Sequence, residues 1–174
     1  MGLEPGPGLA LLSAESYFGR GVSSSERLLE RAAALGHTHL ALTDWQSLTG
    51  GVRLFRKARE VGVVPLLGAG LPLKTPEGTF PVRLLAASRE GYALLSAHLT
   101  RVLAEGALPL EALLAENRDL VLLTGGREGF PSRLLAERRL SALDRLLKAL
   151  KGAFRDRLFL SLYHDLLPGD ARRA

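Results

Sequence analysis

The sequence predicts an α/β fold in which most strands run parallel and one pair forms a hairpin. Short, continuously apolar runs alternate with amphipathic stretches at helical spacing, which is typical of βα units in a sheet covered by helices. The runs around Leu42 and Leu67 end in Asp44-Trp45 and Gly68-Ala69-Gly70. Because parallel sheets place their chemistry at the carboxyl ends of strands, these endings are candidate functional positions.

Composition restricts the function further. The 174 residues, of which 47% are hydrophobic and 24% charged, predict one globular domain with a sizeable core. The absence of cysteine excludes disulfides and cysteine-ligated zinc. No apolar run reaches the ~20 residues of a membrane span, and the first residues lack the basic segment of a secretory signal. We therefore expect a cytoplasmic protein with no membrane contact.

The elements of the first half follow from capping and periodicity. The Pro/Gly-rich residues 1–8 are predicted to form a flexible lead-in, and the domain over residues 9–174 is predicted to begin with strand Leu9–Leu12. Ser23 and Glu26 have the spacing of a capping box and start a helix. Gly36 ends that helix.

A second βα unit and a hairpin come next. A strand over residues 39–43 precedes a helix over Gly51–Val61, with Val52, Phe55 and Ala58 expected on one side. Further strands are then predicted, and two of them flank the turn Thr75-Pro-Glu-Gly78. These strands cover residues 63–67, 71–74 and 79–87.

The second half repeats the alternation of helices and strands. Its predicted elements are a helix over residues 89–104, a short helix from Pro109 to Glu116, a strand over 119–124, a helix over 132–151 and a strand over 158–163. The leucines expected to face the core from the long helix are Leu135, Leu143, Leu146, Leu147 and Leu150. The first 126 residues hold 12 basic and 12 acidic side chains, and the remainder 11 and 6, so the net charge of +5 lies at the end of the sequence. That excess suits a phosphate backbone or an acidic partner, although mixed charges are also typical of a solvated helix face.

Histidines give few candidates for a site. His37 and His39 could form a metal-binding pair, but they precede their strand and are better interpreted as structural. His98 lies in an apolar helix and is expected to be packed or at the surface. His164, beside Asp165 at the end of the last strand, is the best single histidine candidate, with a capped strand end as the alternative.

Two adjacent residues at a strand end can be interpreted in two ways each. Asp44 can act as an acid, base or ligand, or it can cap the following helix. Trp45 can stack on a ligand or plug the mouth of a barrel. No glycine-rich nucleotide-binding loop and no Gly-x-Ser-x-Gly motif occurs, so nucleotide binding and serine hydrolysis by those devices are not expected.

A family resemblance extends over nearly the whole sequence. Its segments are residues 21–36, 40–44 (Leu-Ala-Leu-Thr-Asp), 50–55, 64–69 (Val-Pro-Leu-Leu-Gly-Ala), 84–87, 90–92, 122–129 (Leu-Leu-Thr-Gly-Gly-Arg-Glu-Gly) and 156–160. In these segments the chain resembles the amino-terminal PHP (polymerase and histidinol phosphatase) domain of bacterial DNA polymerase III alpha subunits, both replicative and error-prone. The resemblance implies an incomplete PHP-type (βα) barrel similar to a TIM barrel.

The resemblance also implies a metal cluster in members that act as metal-dependent phosphoesterases. At the positions that it assigns to ligands, this sequence carries other residue types. Leu11 and Ser13 stand where the family has His-x-His, Arg20 where it has Asp, Trp45 where it has His, and Gly70 where it has Glu. Another family His falls near the position of Pro81, and Gly126 stands where the family has Cys or His. Leucine, glycine and proline side chains donate nothing to zinc or manganese. A fixed charge on Arg20 at ~4 Å would repel a cation by several kcal/mol in a partly buried site.

Three hypotheses follow. The leading one is a non-catalytic PHP-type scaffold or interaction module in DNA replication or repair synthesis, with a degenerate metal site and no cofactor. Its partner would be a polymerase core, an exonuclease subunit or a second copy. An enzyme alternative is a phosphoesterase with a site rebuilt from Glu15, Asp44 and His164. The third is weak DNA binding through Arg133, Arg138, Arg139, Arg145, Lys148 and Lys151.

The resemblance implies a difference in length as well. The family's final βα units, with their Asp-x-His, and the palm, fingers and thumb of the polymerase have no counterpart in the 174 residues. We therefore expect a barrel without its last βα units that does not polymerise DNA by itself. Exposed strand edges and apolar surface on such a barrel would favour a partner.

Overall fold

The computed structural model describes residues 9–12 and 23–161, and within them it contains a seven-stranded sheet covered by helices. The strands follow the order β1-β2-β3-β4-β6-β7, and β5 pairs with β3. The elements are β1 Leu9–Leu12, α1 Ser25–Ala34, β2 His39–Trp45, α2 Gly51–Val61, β3 Val64–Thr75, β4 Gly78–Ala86, α3 Arg89–Glu105, β5 Leu108–Pro109, α4 Leu110–Ala115, β6 Leu120–Leu123, α5 Phe130–Ala136, α6 Leu140–Phe154 and β7 Leu158–Phe159.

The strand directions confirm the predicted α/β class. Strands β1, β2 and β3 are parallel, and so are the pairs β3–β5 and β6–β7. The turn at Thr75–Gly78 joins β3 and β4 as the predicted hairpin, and β4 is also antiparallel to β6. In the turn, the Thr75 hydroxyl donates to the Gly78 carbonyl oxygen at 2.8 Å and accepts the Glu77 N–H at 3.1 Å.

Strand β3 is longer than predicted. The sequence predicts one strand that ends at Leu67 and another that begins at Leu71, because glycines disfavour strands. In the structure, Gly68 and Gly70 are both paired, with β2 on one edge and β4 on the other. Hydrogen bonds on both edges override the weak local preference, and the strand continues to Thr75.

The three residues expected on one side of α2 differ in their exposure. Ala58 is buried, but Val52 is 82% exposed and Phe55 is 46% exposed. The helix instead buries Gly51 and Leu54 together with Ala58. Both sets have helical spacing, so the sequence pattern alone could not decide which one faces the sheet.

The predicted helix over residues 132–151 is two helices. Arg138 has a left-handed φ of 56°, the Arg138 N–H bonds to the Leu135 carbonyl, and the Arg139 N–H bonds to the Leu134 carbonyl. This is the Schellman ending, which usually has glycine at the left-handed position and was therefore not expected here. Leu135, predicted to face inward, is 52% exposed as a result. The four other leucines predicted to face inward lie on α6 and are buried or half-buried.

Two apolar clusters lie on the same side of the sheet. The smaller one lies under α1 and α2 and the larger one under α3 to α6, and the half-buried Leu48 packs against both. Ser24, rather than the predicted Ser23, caps α1, with its hydroxyl accepting the Arg27 N–H at 3.4 Å. The residues of the smaller cluster are Leu29, Ala32, Leu40, Leu42, Leu54, Ala58, Val63 and Leu67.

Alternation along the strands divides the sheet into two surfaces. The helix face carries the alternate residues that enter the two clusters, such as Leu42 on β2, Ala69 on β3 and Leu84 on β4. We call the opposite surface the inner face, and it carries the residues in between. No helix in the described part of the chain is long and apolar enough to cross a membrane.

Candidate functional site

One row of paired residues crosses the inner face at the carboxyl end of β2 and the middle of β3. Trp45 pairs with Gly70, Gly70 pairs with Arg83, and Arg83 pairs with Leu123. Directly paired residues point to the same side of a sheet, so these four residues share the inner face. Two of them, Trp45 and Gly70, occupy positions that the resemblance assigns to metal ligands.

The indole of Trp45 lies against the backbone of Gly70. A Cβ at residue 70 would lie 2.9 Å from Cε3 of Trp45, closer than real Cβ atoms approach such a carbon. Trp45 is half-buried and therefore fills the space beside Gly70. The two replacements are sterically linked, because the indole occupies the space that a larger residue 70 would need.

Two further positions that the resemblance assigns to ligands lie near each other. Gly125 has a left-handed φ of 83°, and a Cβ on it would collide with the carbonyl oxygen of Pro81. Gly126 follows directly and is buried. Pro81 lies two residues before Arg83 and therefore on the inner face. The backbone thus brings Pro81 and Gly126 to the same end of the sheet as Trp45 and Gly70.

The residues placed there do not fit a metal ion. Indole, glycine and proline offer no metal-binding side-chain atom, and the guanidinium of Arg83 keeps its positive charge. Leu11 stands in register with Ala41, which lies four residues before Trp45 along β2 and therefore outside that row. In the described part of the chain no group of three or more His, Cys, Asp or Glu could hold a metal ion. The remaining predicted positions, Ser13, Glu15, Arg20 and His164, lie outside the described residues.

Asp44 lies on the other surface of the sheet. Its side chain is 2% exposed, and strand alternation places it on the helix face with Leu42. A Cβ on Gly50 would lie 3.3 Å from Oδ2 of Asp44 and 2.6 Å from Cδ2 of Leu42. The carboxylate is therefore beside the N-terminus of α2, on the side of the sheet opposite to Trp45.

The position of Asp44 bears on its two interpretations. The N-cap of α2 is Gly50, which has no side-chain cap, and the first turn of the helix contains no acidic residue. A helix N-terminus carries partial positive charge and is stabilised by a nearby carboxylate. The Asp44 carboxylate lies where the helix-cap alternative would place it, and that role stays a prediction.

The described histidines do not join the row on the inner face. His39 pairs with Val64 at the amino end of β2, and its Nδ1 is 2.8 Å from the Thr38 hydroxyl. His98 is buried in α3, with Nε2 2.8 Å from the carbonyl oxygen of Glu116. Of the two placements expected for His98, packed or at the surface, the structure has the packed one.

Several basic side chains of the last quarter form ion pairs within the fold. Arg139 and Arg145 both contact the half-buried carboxylate of Glu77 in the hairpin turn, the latter at 2.8 Å. Lys148 lies 2.7 Å from Asp144. The hydrogen bond from Arg145 and the charges of both arginines hold the pKa of Glu77 below its ordinary value. These pairs leave fewer free cations for a phosphate backbone than the sequence suggests.

Sequence reasoning missed Arg83. It is the one charged residue of β4, a strand that is otherwise mostly apolar. Its position in the strand places it opposite to the buried Val82 and Leu84. A charge in such a strand is the signal that could have identified it.

Comparisons with known proteins agree with the resemblance. The PHP domain model matches residues 13–164. The chain is 34% identical over 171 residues to an error-prone DNA polymerase of Symbiobacterium thermophilum, which covers 86% of this chain and 16% of that protein. It is 30% identical over 159 residues to the DNA polymerase III subunit alpha of Escherichia coli K12, which covers 86% of this chain and 14% of that protein. A solved amidohydrolase structure from Chromobacterium violaceum aligns with 54% of this chain and 32% of its own, at 23% identity and a TM-score of 0.45.

Proposed function

From the premise that this chain belongs to the PHP domain family and is related to the DNA polymerase III alpha subunit, we propose that it is a non-catalytic PHP-type domain. It acts as a cytoplasmic scaffold or protein-interaction module in DNA replication or repair synthesis. The observation that carries this proposal is the Trp45 indole lying against Gly70, at two positions where the resemblance implies metal ligands.

Charge supports the same conclusion. Arg83 is next to Gly70 across the sheet, so a permanent positive charge belongs to the row in which the resemblance implies a bound cation. Like charges at short range repel, and the repulsion grows as water is excluded. The row therefore offers a divalent ion few ligands and includes a side chain that is itself positively charged.

The two alternatives have less support. A phosphoesterase rebuilt around Asp44 would need its carboxylate on the inner face, whereas that carboxylate lies beside α2 on the helix face. A DNA-binding module would need free basic side chains, whereas Arg139, Arg145 and Lys148 contact carboxylates. We therefore retain the non-catalytic module as the proposed function.

A partner protein is part of the proposal. The two relatives are much longer, since this chain covers 16% and 14% of their lengths, and one is named as a subunit of DNA polymerase III. We propose that the partner is a polymerase core, an exonuclease subunit or a second copy of this chain. Sedimentation of the chain alone, and then with each purified candidate, separates these cases.

Metal uptake tests the absence of catalysis. The full chain is titrated with Zn²⁺ and Mn²⁺ in a calorimeter and assayed for hydrolysis of p-nitrophenyl phosphate. We expect far less than one equivalent of tightly bound metal and hydrolysis equal to a protein-free control. Stoichiometric uptake together with hydrolysis that a chelator abolishes would contradict the proposal.

A donor-restored variant provides the matched control. It combines Leu11→His, Ser13→His, Arg20→Asp, Trp45→His and Gly70→Glu, which place imidazoles and carboxylates at the positions implied by the resemblance. Replacing Trp45 also frees the space that a side chain at residue 70 requires. If this variant folds, its metal uptake shows that the assay detects a site on this architecture.

A further inference from the structure

We infer that the solvent-facing side of α2 is a docking site for an acidic, amphipathic helical segment of a partner protein. The inference rests on the proposed function and names the surface through which the module acts. The surface, called here the α2 outer stripe, consists of Val52, Phe55, Arg56 and Arg59. All four side chains are exposed.

The stripe is continuous because of its spacing. Its residues stand at i, i+3, i+4 and i+7, which places them on one side of a helix. The residues that bury α2 against the sheet, Gly51, Leu54 and Ala58, form a different row on the same helix. The helix is therefore apolar on the side that packs against the sheet and again, in part, on a side that meets solvent.

The stability of the fold does not account for the two apolar members. Val52 and Phe55 are among the exposed large hydrophobic residues and lie outside both apolar clusters. Valine and phenylalanine are also weaker helix formers than alanine, leucine or lysine. Adjacent exposed apolar side chains, one of them aromatic, are typical of the centre of a protein interface.

The charges around the stripe are unequal. Lys57 lies 2.9 Å from Glu30 on α1 and 3.0 Å from Glu60 on α2 itself. Arg53 lies 4.0 Å from Glu26 on α1. Within residues 23–161, by contrast, no carboxylate pairs with Arg56 or Arg59. The two arginines on the stripe are thus the cations of α2 that remain available to a partner.

These features favour one kind of occupant. An apolar centre flanked by free arginines complements a helix with leucine-like residues on one side and carboxylates at its border. Single-stranded nucleic acid fits less well, because Phe55 is the only aromatic side chain of the stripe, whereas successive bases stack on several aromatic side chains. The occupant we propose is therefore a protein segment.

The test uses two synthetic helical peptides of about 18 residues, or five turns. The first carries leucines on one side and glutamates on both borders, and the second has lysines in place of the glutamates. Each is titrated into the full chain, and backbone amide NMR shifts are recorded. We expect the glutamate peptide to shift the amides of α2 and to bind at least about tenfold more tightly than the lysine peptide.

Variants on the stripe sharpen the test. The double variant Val52→Ser/Phe55→Ser should lower the affinity for the glutamate peptide by about tenfold. The double variant Arg56→Glu/Arg59→Glu should reverse the preference, so that the lysine peptide binds and the glutamate peptide does not. All four residues are exposed, so the fold should be retained, which circular dichroism checks.

Matched controls lie elsewhere on the surface. Leu103 is a 65% exposed leucine on α3, and Arg118 is an exposed arginine before β6. Leu103→Ser and Arg118→Glu should leave the affinity for both peptides unchanged. A loss of affinity in either control equal to that in the stripe variants would overturn the inference.

Other outcomes overturn it as well. These are shifts that lie outside α2, an absence of charge reversal, or stronger α2 shifts with a thymidine oligonucleotide of about 20 nucleotides than with the glutamate peptide. The result is separable from the metal test. If the peptides dock with charge reversal and the chain also shows metal-dependent hydrolysis, the stripe is retained and the non-catalytic function is refuted. If docking fails and no metal-dependent hydrolysis occurs, the stripe is refuted and the non-catalytic function is retained.

Discussion

The two faces of the sheet are built from alternate residues of the same strands, yet they differ in kind. On the helix face, Ala69, Leu84 and Leu122 are fully buried beneath helices. On the inner face, the neighbouring positions hold Gly70 and Arg83. Because successive side chains point to opposite sides, one face can change its chemistry while the other keeps its packing. The packing of the helix face can therefore persist while the residues of the inner face are exchanged.

The largest expected effect comes from removing a large side chain from the helix face. Phe80 is 2% exposed, contacts Phe130 edge to face at 6.3 Å between ring centroids, and lies beneath the guanidinium of Arg133. Phe80→Ala should lower the free energy of unfolding by about 3–5 kcal/mol. Val121→Ala, a half-buried inner-face change, should cost about 1 kcal/mol or less. Urea denaturation followed by circular dichroism measures both, and equal losses would remove the contrast between the faces.

The next effect is steric and belongs to the inner face. Gly70→Ala places a methyl group 2.9 Å from Cε3 of Trp45, so we expect a loss of about 1–3 kcal/mol from overpacking. In the background of Trp45→Leu, the same change should cost much less. A double-mutant cycle in urea gives this coupling, and additive losses would show that the indole does not restrict residue 70.

A third prediction concerns Asp44, which the alternation assigns to the helix face. Asp44→Ala removes the carboxylate beside the N-terminus of α2 and should cost about 1–2 kcal/mol. Hydrogen exchange should become faster in the first turn of α2, from Gly51 to Leu54, and remain unchanged in α6. Faster exchange throughout the chain, without a local excess, would argue against a local role at that helix end.

The smallest effect is a pH dependence at the hairpin turn. The hydrogen bond from Arg145, with the charges of Arg139 and Arg145, lowers the pKa of Glu77 from its ordinary value of 4.5. The ionised carboxylate therefore stabilises the folded chain above that value, and this contribution is lost as the pH falls through the lowered pKa. Glu77→Gln should be slightly less stable at neutral pH, and the difference should shrink as the pH falls below 4.5 and the carboxylate becomes protonated. Thermal unfolding across this range, with Glu105→Gln as an exposed control on α3, checks the difference.

Much of the framework could be predicted because its signals are local. Apolar runs, the turn Thr75-Pro-Glu-Gly78 and the helix-ending Gly36 specified the order of elements and the hairpin. The errors arose where distant contacts overruled local preference. Residues 68–70 continue β3 because both of its edges are paired, and Arg138 ends α5 in a conformation that usually belongs to glycine.

By itself, the sequence determined which side-chain chemistry is available at the positions that the resemblance assigns to metal ligands. Trp45, Gly70 and Pro81 have no metal-binding side-chain atom, whatever their place in the fold. The tertiary structure alone decided how they are used. It set the Trp45 indole against Gly70, turned Asp44 towards α2, and left Val52 in solvent. Such placements depend on strand register and on which helix covers which face, and these are fixed by contacts between segments far apart in the chain.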